Sequence, residues 1–168
     1  MQWSDSTELD AQLLREYQQL ILDDPGAVYR DRRAGHFTAS ALMVDPRRGQ
    51  VLLLMHPKVG RWLQFGGHIE PTDSSFANAA LRECREESGY LDVEVLATPA
   101  ALDRHAVPCA GEQSVHWDVQ YLAIVDRDAQ CTPTENLQVQ WWDLARVSQF
   151  LPDLDDSVLR LIAAARSL

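Results

Sequence analysis

The sequence has little of several things. It carries one lysine, Lys58, among 15 basic residues. Its three cysteines, Cys84, Cys109 and Cys131, are widely spaced, odd in number and without a CxxC pair. Neither a disulfide framework nor a zinc knuckle is indicated, and a reducing, cytoplasmic setting is expected. Long apolar runs are missing: stretches such as Val51 to Met55 fall far short of the roughly 20 residues that a bilayer span needs. No membrane association is expected. The opening Met1-Gln2-Trp3-Ser4-Asp5-Ser6 has no basic segment leading into an apolar one, so no secretory leader is expected. There is no internal repeat and no low-complexity segment. Positive charge is also scarce, with 15 basic against 25 acidic residues and a net charge of −10. A nucleic-acid binder needs a basic footprint, so nucleic acid is not the expected partner. A phosphorylated small molecule stays open, because a metal ion can bridge an acidic site to an acidic ligand.

What is present suits one ordinary globular domain: 168 residues, of which 46% are hydrophobic. Leu9, Leu13, Leu14, Tyr17, Leu20 and Ile21 recur at helical spacing over 8–22, and Asp23-Asp24-Pro25-Gly26 stops them. His36 to Asp45 reads as a buried strand. Asp45-Pro46-Arg47-Arg48-Gly49 reads as a turn and Val51 to His56 as the returning strand. Residues 75–88 form the strongest helix, with Asp73, Ser74 or Ser75 to cap its start and Gly89 to end it. Strands are expected at about 92–98, 115–125 and 137–142, and a last helix from about Leu154 to Arg166. The 115–125 segment alternates Val115, Trp117, Val119, Tyr121 and Ala123 with His116, Asp118 and Gln120, so one face is apolar and one polar. Strands and helices mixed without regular βαβ alternation indicate an α+β fold.

The chemistry lies in Gly66-Gly67-His68-Ile69-Glu70 and in Arg82-Glu83-Cys84-Arg85-Glu86-Glu87-Ser88-Gly89. At about 100° per residue, Glu83 and Glu87 stand one turn apart and Glu86 lies on a neighbouring line. Like charges at this spacing repel, and a hard divalent cation is the natural compensation. Arg82, four residues before Glu86, can orient it as an ion pair. The diglycine lets a backbone carbonyl approach a metal with no side chain in the way. Cys84 falls with Ala77 and Leu81 on the apolar side and reads as core.

These residues resemble the Nudix hydrolase signature, G-x5-E-x7-R-E-U-x-E-E-x-G-U, where U is a bulky apolar residue. The match runs from Gly67 to Tyr90, with Gly67, Arg82, Glu83, Glu86, Glu87 and Gly89 in place and Cys84 and Tyr90 at the U positions. The first acidic position holds Asp73 instead of glutamate, and eight residues instead of seven separate it from Arg82. The resemblance implies a Nudix fold, a mixed β-sheet between helices, over a single domain 1–168. Its parts would be a lead-in 1–34, a core 35–150 and a C-terminal helix 151–168. It implies hydrolysis of a diphosphate linkage in a small nucleoside diphosphate derivative, with Mg2+ or Mn2+. Gly67, Glu83, Glu86 and Glu87 would hold the metal, and Arg82 would support the acidic cluster. The alternative is a catalytically silent member that binds a nucleotide-like ligand or a protein. Silent members usually lose helix glutamates, and this chain keeps them. A homodimer is left open.

Outside the signature, Glu135 stands where some members place a further metal ligand or the base, and Glu112 is a rival base. His68, His105 and His116, with Asp118 on the strand face of His116, are the candidate substrate-binding residues. Trp62, Trp117, Trp141 and Trp142 could stack on a base, though core packing is the commoner role for a tryptophan. His56-Pro57 has no accompanying cysteine, which sets the chain apart from the isopentenyl diphosphate isomerases that share the fold.

Overall fold

The computed structural model describes residues 8–32, 34–109, 112–132 and 137–168. Helix α1 spans Glu8–Asp23, and its chain leaves through a 3-10 turn at Pro25–Val28, where the Asp24 carboxylate accepts the Gly26 N–H. Strand β1 (His36–Asp45) turns at 46–49 into β2 (Gln50–Met55), the hairpin expected from Asp-Pro-Arg-Arg-Gly. Then come β3 (Trp62–Leu63), β4 (Phe65–His68), α2 (Phe76–Ser88), β5 (Val93–Val95) and β6 (Ala101–Cys109). The rest of the chain forms β7 (Glu112–Val125), β8 (Gln138–Asp143), α3 (Val147–Phe150) and α4 (Asp156–Ala165).

The centre of the sheet is the parallel pair β1 and β7, in register from His36 opposite His116 to Val44 opposite Ile124. The other edge of β1 is shared. Antiparallel β2 takes the 43–45 end and antiparallel β4 takes 38–41. The other edge of β7 is shared in the same way between β5 and β6. Strands β3 and β8 extend the sheet beyond β2.

Alternation on the central strands separates two cores. Phe37, Ala39, Ala41 and Met43 of β1 pack with Val119, Tyr121 and Ala123 of β7 against α1 and α2, including Tyr17, Ala79, Ala80 and Cys84. Leu42 and Val44 point the other way, with Leu122, onto Val158, Leu161 and Ile162 of α4. The sheet is thus covered by helices on both faces, an α+β fold. Continued along β1 and β7, the second series becomes His36, Thr38 and Ser40 beside His116, Asp118 and Gln120. That face therefore changes from apolar to polar at one end of the sheet.

Strand β6 differs from the sequence expectation, which left 99–114 without a strand. It is an edge strand paired only with β7 among the described residues, and it includes Pro108, a residue that edge strands tolerate. Among its described side chains Leu102 is the one buried apolar residue, so no alternation announces the strand. Strand β7 begins at Glu112, ahead of the expected start at 115. The last helix starts at Asp156 with Asp155 as its N-cap, and β5 is shorter than the expected 92–98. Among the described residues, no helix is long and apolar enough to cross a membrane.

Candidate active site

Local chemistry fixes helix α2 at both ends. Ser75, not Asp73 or Ser74, is the cap: its Oγ accepts the Asn78 N–H at 3.1 Å. At the other end Gly89 adopts φ 79°, a left-handed conformation that glycine reaches without Cβ strain, and its N–H donates to the Arg85 carbonyl. Between them Ala79, Ala80 and Cys84 are buried in the core. This rotation turns Glu83 and Glu87 onto the backbone of β4. The Gly66 N–H donates to Glu87 Oε2 at 3.1 Å. At Gly67 a Cβ would stand 2.7 Å from the Glu83 carboxyl carbon, so the missing side chain is the space that the carboxylate occupies.

Arg82 holds the acidic groups together. Its Nη1 donates to Glu83 Oε1 at 2.9 Å and to Glu86 Oε2 at 3.1 Å. Its Nε and Nη2 donate to the two Asp73 oxygens at 3.2 and 3.0 Å, and Nη2 also reaches the His68 carbonyl at 2.9 Å. The Asp73 side chain is 5% exposed and also accepts the Glu70 N–H at 2.8 Å. Burial works against the charge on Asp73, but the Arg82 guanidinium and the Glu70 N–H hold its carboxyl below the usual range. Burial raises Glu83 despite Arg82 beside it. A half-desolvated carboxylate next to a second one, on a strand backbone with no side chain between, is a hard oxygen donor set. It fits a cation such as Mg2+ or Mn2+. Glu86 is the exposed member of the group, with 53% of its side chain accessible.

On the opposite face of β4 stands His68. Its ring centroid lies 5.0 Å from that of His36 and 5.3 Å from that of His116, and the His36 and His116 rings are 4.9 Å apart. His105 lies 5.6 Å from His116, with Nδ1 2.7 Å from Asp103 Oδ2. Three of the four expected recognition residues, His68, His105 and His116, therefore share one patch. The fourth, Asp118, is buried beside them and accepts from Thr38 at 2.8 Å, Ser40 at 2.6 Å and Gln120 at 3.1 Å. Burial raises the Asp118 carboxyl, and these donors work against it. Around them Nε2 of His36, His68 and His116, Oγ of Ser114 and Oε1 of Gln64 and Gln120 are buried without a hydrogen-bond partner. A bare buried polar atom costs about 1–3 kcal/mol, so these six call for a water, an ion or a ligand as partner.

Glu135 lies outside the described residues. Glu112 is placed at the first position of β7. Each of the four candidate tryptophans is half-buried against neighbours: Trp62 against Trp142, Trp141 against Tyr90, and Trp117 between Tyr17 and the Arg104 guanidinium. Two contributions were not foreseen. One is the pair of hydrogen bonds that Arg82 donates to Asp73. The other is His36, which the sequence marks only by its place in the polar series His36, Thr38, Ser40.

The NUDIX domain family model matches residues 35–163. The chain belongs to the NUDIX domain family. No curated protein matches it in sequence. Among solved structures, the NUDIX domain of Shewanella oneidensis NrtR, complexed with ADP ribose, is 28% identical. It covers 96% of this chain and 98% of its own, with a TM-score of 0.58. A NUDIX family hydrolase from Clostridium perfringens is 20% identical over 79% of this chain and 97% of its own, with a TM-score of 0.60. An Ap4A hydrolase from C. elegans is 16% identical over 78% and 95%, with a TM-score of 0.52. The last two are similar in fold. The Nudix signature of this chain thus lies on a Nudix scaffold, with its acidic helix against one face of the sheet and its histidines on the other.

Proposed function

We propose that this chain is a Nudix-type pyrophosphohydrolase that cleaves a diphosphate linkage in a small nucleoside diphosphate derivative, with Mg2+ or Mn2+. The observation that carries this reading is the seating of Glu83 and Glu87 on the Gly66-Gly67 backbone. Glu83, Glu87 and the Gly67 carbonyl would hold the cation, with Glu86 beside them. A bound divalent ion neutralises diphosphate oxygens and lowers the pKa of a coordinated water. Arg82 screens the clustered carboxylates from one another and keeps Glu83 in position. The proton acceptor is a glutamate: Glu86 or another of the signature, Glu112 or Glu135. The patch of His68, His105 and His116 would orient the substrate, with Asp118 buried beneath it and held by Thr38, Ser40 and Gln120. The relative at 28% identity is complexed with ADP ribose, a diphosphate of this class, which supports the choice of substrate.

The experiment is a panel of ADP-ribose, dinucleoside polyphosphates and nucleoside triphosphates with each metal, the products being separated and identified. Metal-dependent release of a nucleoside monophosphate or diphosphate is expected. Tight binding of a panel member with no turnover under either metal would favour the silent binding module.

A further inference from the structure

We propose that His36, His68 and His116 form a second metal site, for a transition ion such as Zn2+, on the sheet face opposite the acidic helix. One ring nitrogen from each residue lies within 4.8 Å of those of the other two. The three side chains come from three strands, β1, β4 and β7, and the register places them together. His36 is opposite His116, and Thr38, two residues on, is opposite His68. In all three rings Nε2 is buried and without a partner. His36 is 1% exposed, and its Nδ1 sits 3.2 Å from the Arg32 carbonyl. That hydrogen bond makes Nδ1 the protonated nitrogen and leaves Nε2 as a lone-pair donor, as the outer bonds of metal-bound histidines do.

The donor set decides the kind of ion. Three neutral imidazoles suit zinc and its neighbours, whereas magnesium and calcium take oxygen. Burial supports the neutral state, holding His68 down to about 4 and His116 down to about 3, with the other histidines of the patch adding to it. Nitrogens around a tetrahedral ion at roughly 2.0–2.1 Å stand about 3.4 Å apart, so the cluster closes by no more than about 1.5 Å on loading. Three protein ligands leave a fourth position for water or a substrate oxygen. His68 and His116 would then meet the substrate through the ion.

The test uses tag-free full-length protein, stripped with a chelator and dialysed against Zn2+ with excess Mg2+ present. One equivalent of zinc is expected in the wild type, and one also in the Glu83→Gln/Glu87→Gln variant. His36→Ala and His116→Gln should each bind zinc at least roughly a hundredfold more weakly. X-ray absorption of the zinc-loaded wild type needs no variant, and it should show imidazole nitrogens as the principal ligands. Four results would overturn the proposal: less than one equivalent in the wild type, loss in the glutamate variant, unchanged affinity in folded histidine variants, or an oxygen-dominated shell. Loss in the glutamate variant would move the zinc to the acidic helix and leave the proposed hydrolysis standing. Because the readout is metal binding, absence of turnover leaves the histidine site to be judged separately.

Discussion

A methyl group added at position 67 would press on the Glu83 carboxyl, but one added at position 66 would stand 2.7 Å from the Ala39 carbonyl oxygen and from the Ser40 Cα. The first neighbour is the tip of a side chain and can move. The second is strand backbone and cannot. Gly67→Ala should therefore keep its stability within about 1 kcal/mol and lose roughly a hundredfold in turnover, the cost of a misplaced catalytic group. Gly66→Ala should lose about 1–3 kcal/mol, the range of an overpacked core. Urea unfolding alongside initial rates separates the two, and equal effects of both kinds in both variants would contradict the argument. Asp73 offers a further contrast. Its carboxylate accepts two bonds from Arg82 and one from the Glu70 N–H, so Asp73→Ala should cost about 2–3 kcal/mol in urea unfolding. A loss under 0.5 kcal/mol, as surface substitutions give, would mean that Arg82 is held adequately by Glu83, Glu86 and the His68 carbonyl.

Helix α2 is the element most legible in the sequence, because its signals are local: a serine cap, helical spacing of Ala77, Leu81 and Cys84, and a left-handed glycine. Gly89→Ala should cost about 1–2 kcal/mol, since the left-handed conformation penalises a Cβ. The β1–β2 hairpin is legible for the same reason. Strand β6 is not, because its partner β7 supplies the pattern that its own residues lack. The polar face is legible only in part. His116 and Asp118 announce themselves by alternation, but their union with His36 and His68 depends on register across three strands, which no local spacing encodes. The loop after β2 adds a pH signature. His56 Nδ1 accepts the Val59 N–H at 3.2 Å, so that ring nitrogen must be unprotonated. Burial, with Lys58 nearby, lowers His56 below its ordinary 6.5. A folded value below the unfolded one gives stability that is present above pH 6.5 and lost as pH falls through the lowered value. In His56→Asn the Asn oxygen can accept at every pH. The variant should gain on the wild type between pH 7.5 and 5 in thermal unfolding, and a constant difference would contradict this.

At the scale of the whole molecule, charge and topology act together. A net charge of −10 disfavours the broad basic surface that a polymer needs, while the sheet separates clustered carboxylates on one face from a histidine-lined patch on the other. Hydrolysis of ADP-ribose and dinucleoside polyphosphates should therefore exceed that of 5′-triphosphorylated RNA at two salt concentrations. RNA as the best substrate, with a rate falling steeply with salt, would contradict the small-ligand reading. On the proposed reading, Glu83 and Glu87 hold the ion that makes diphosphate hydrolysis possible. That reading is tested most directly by the turnover of Glu83→Gln and Glu87→Gln on the panel's best substrate at saturating Mn2+, with folding checked by circular dichroism. Catalysis carried by a bound metal is worth several kcal/mol, so each folded variant should lose at least roughly a hundredfold. Wild-type turnover in both would contradict it.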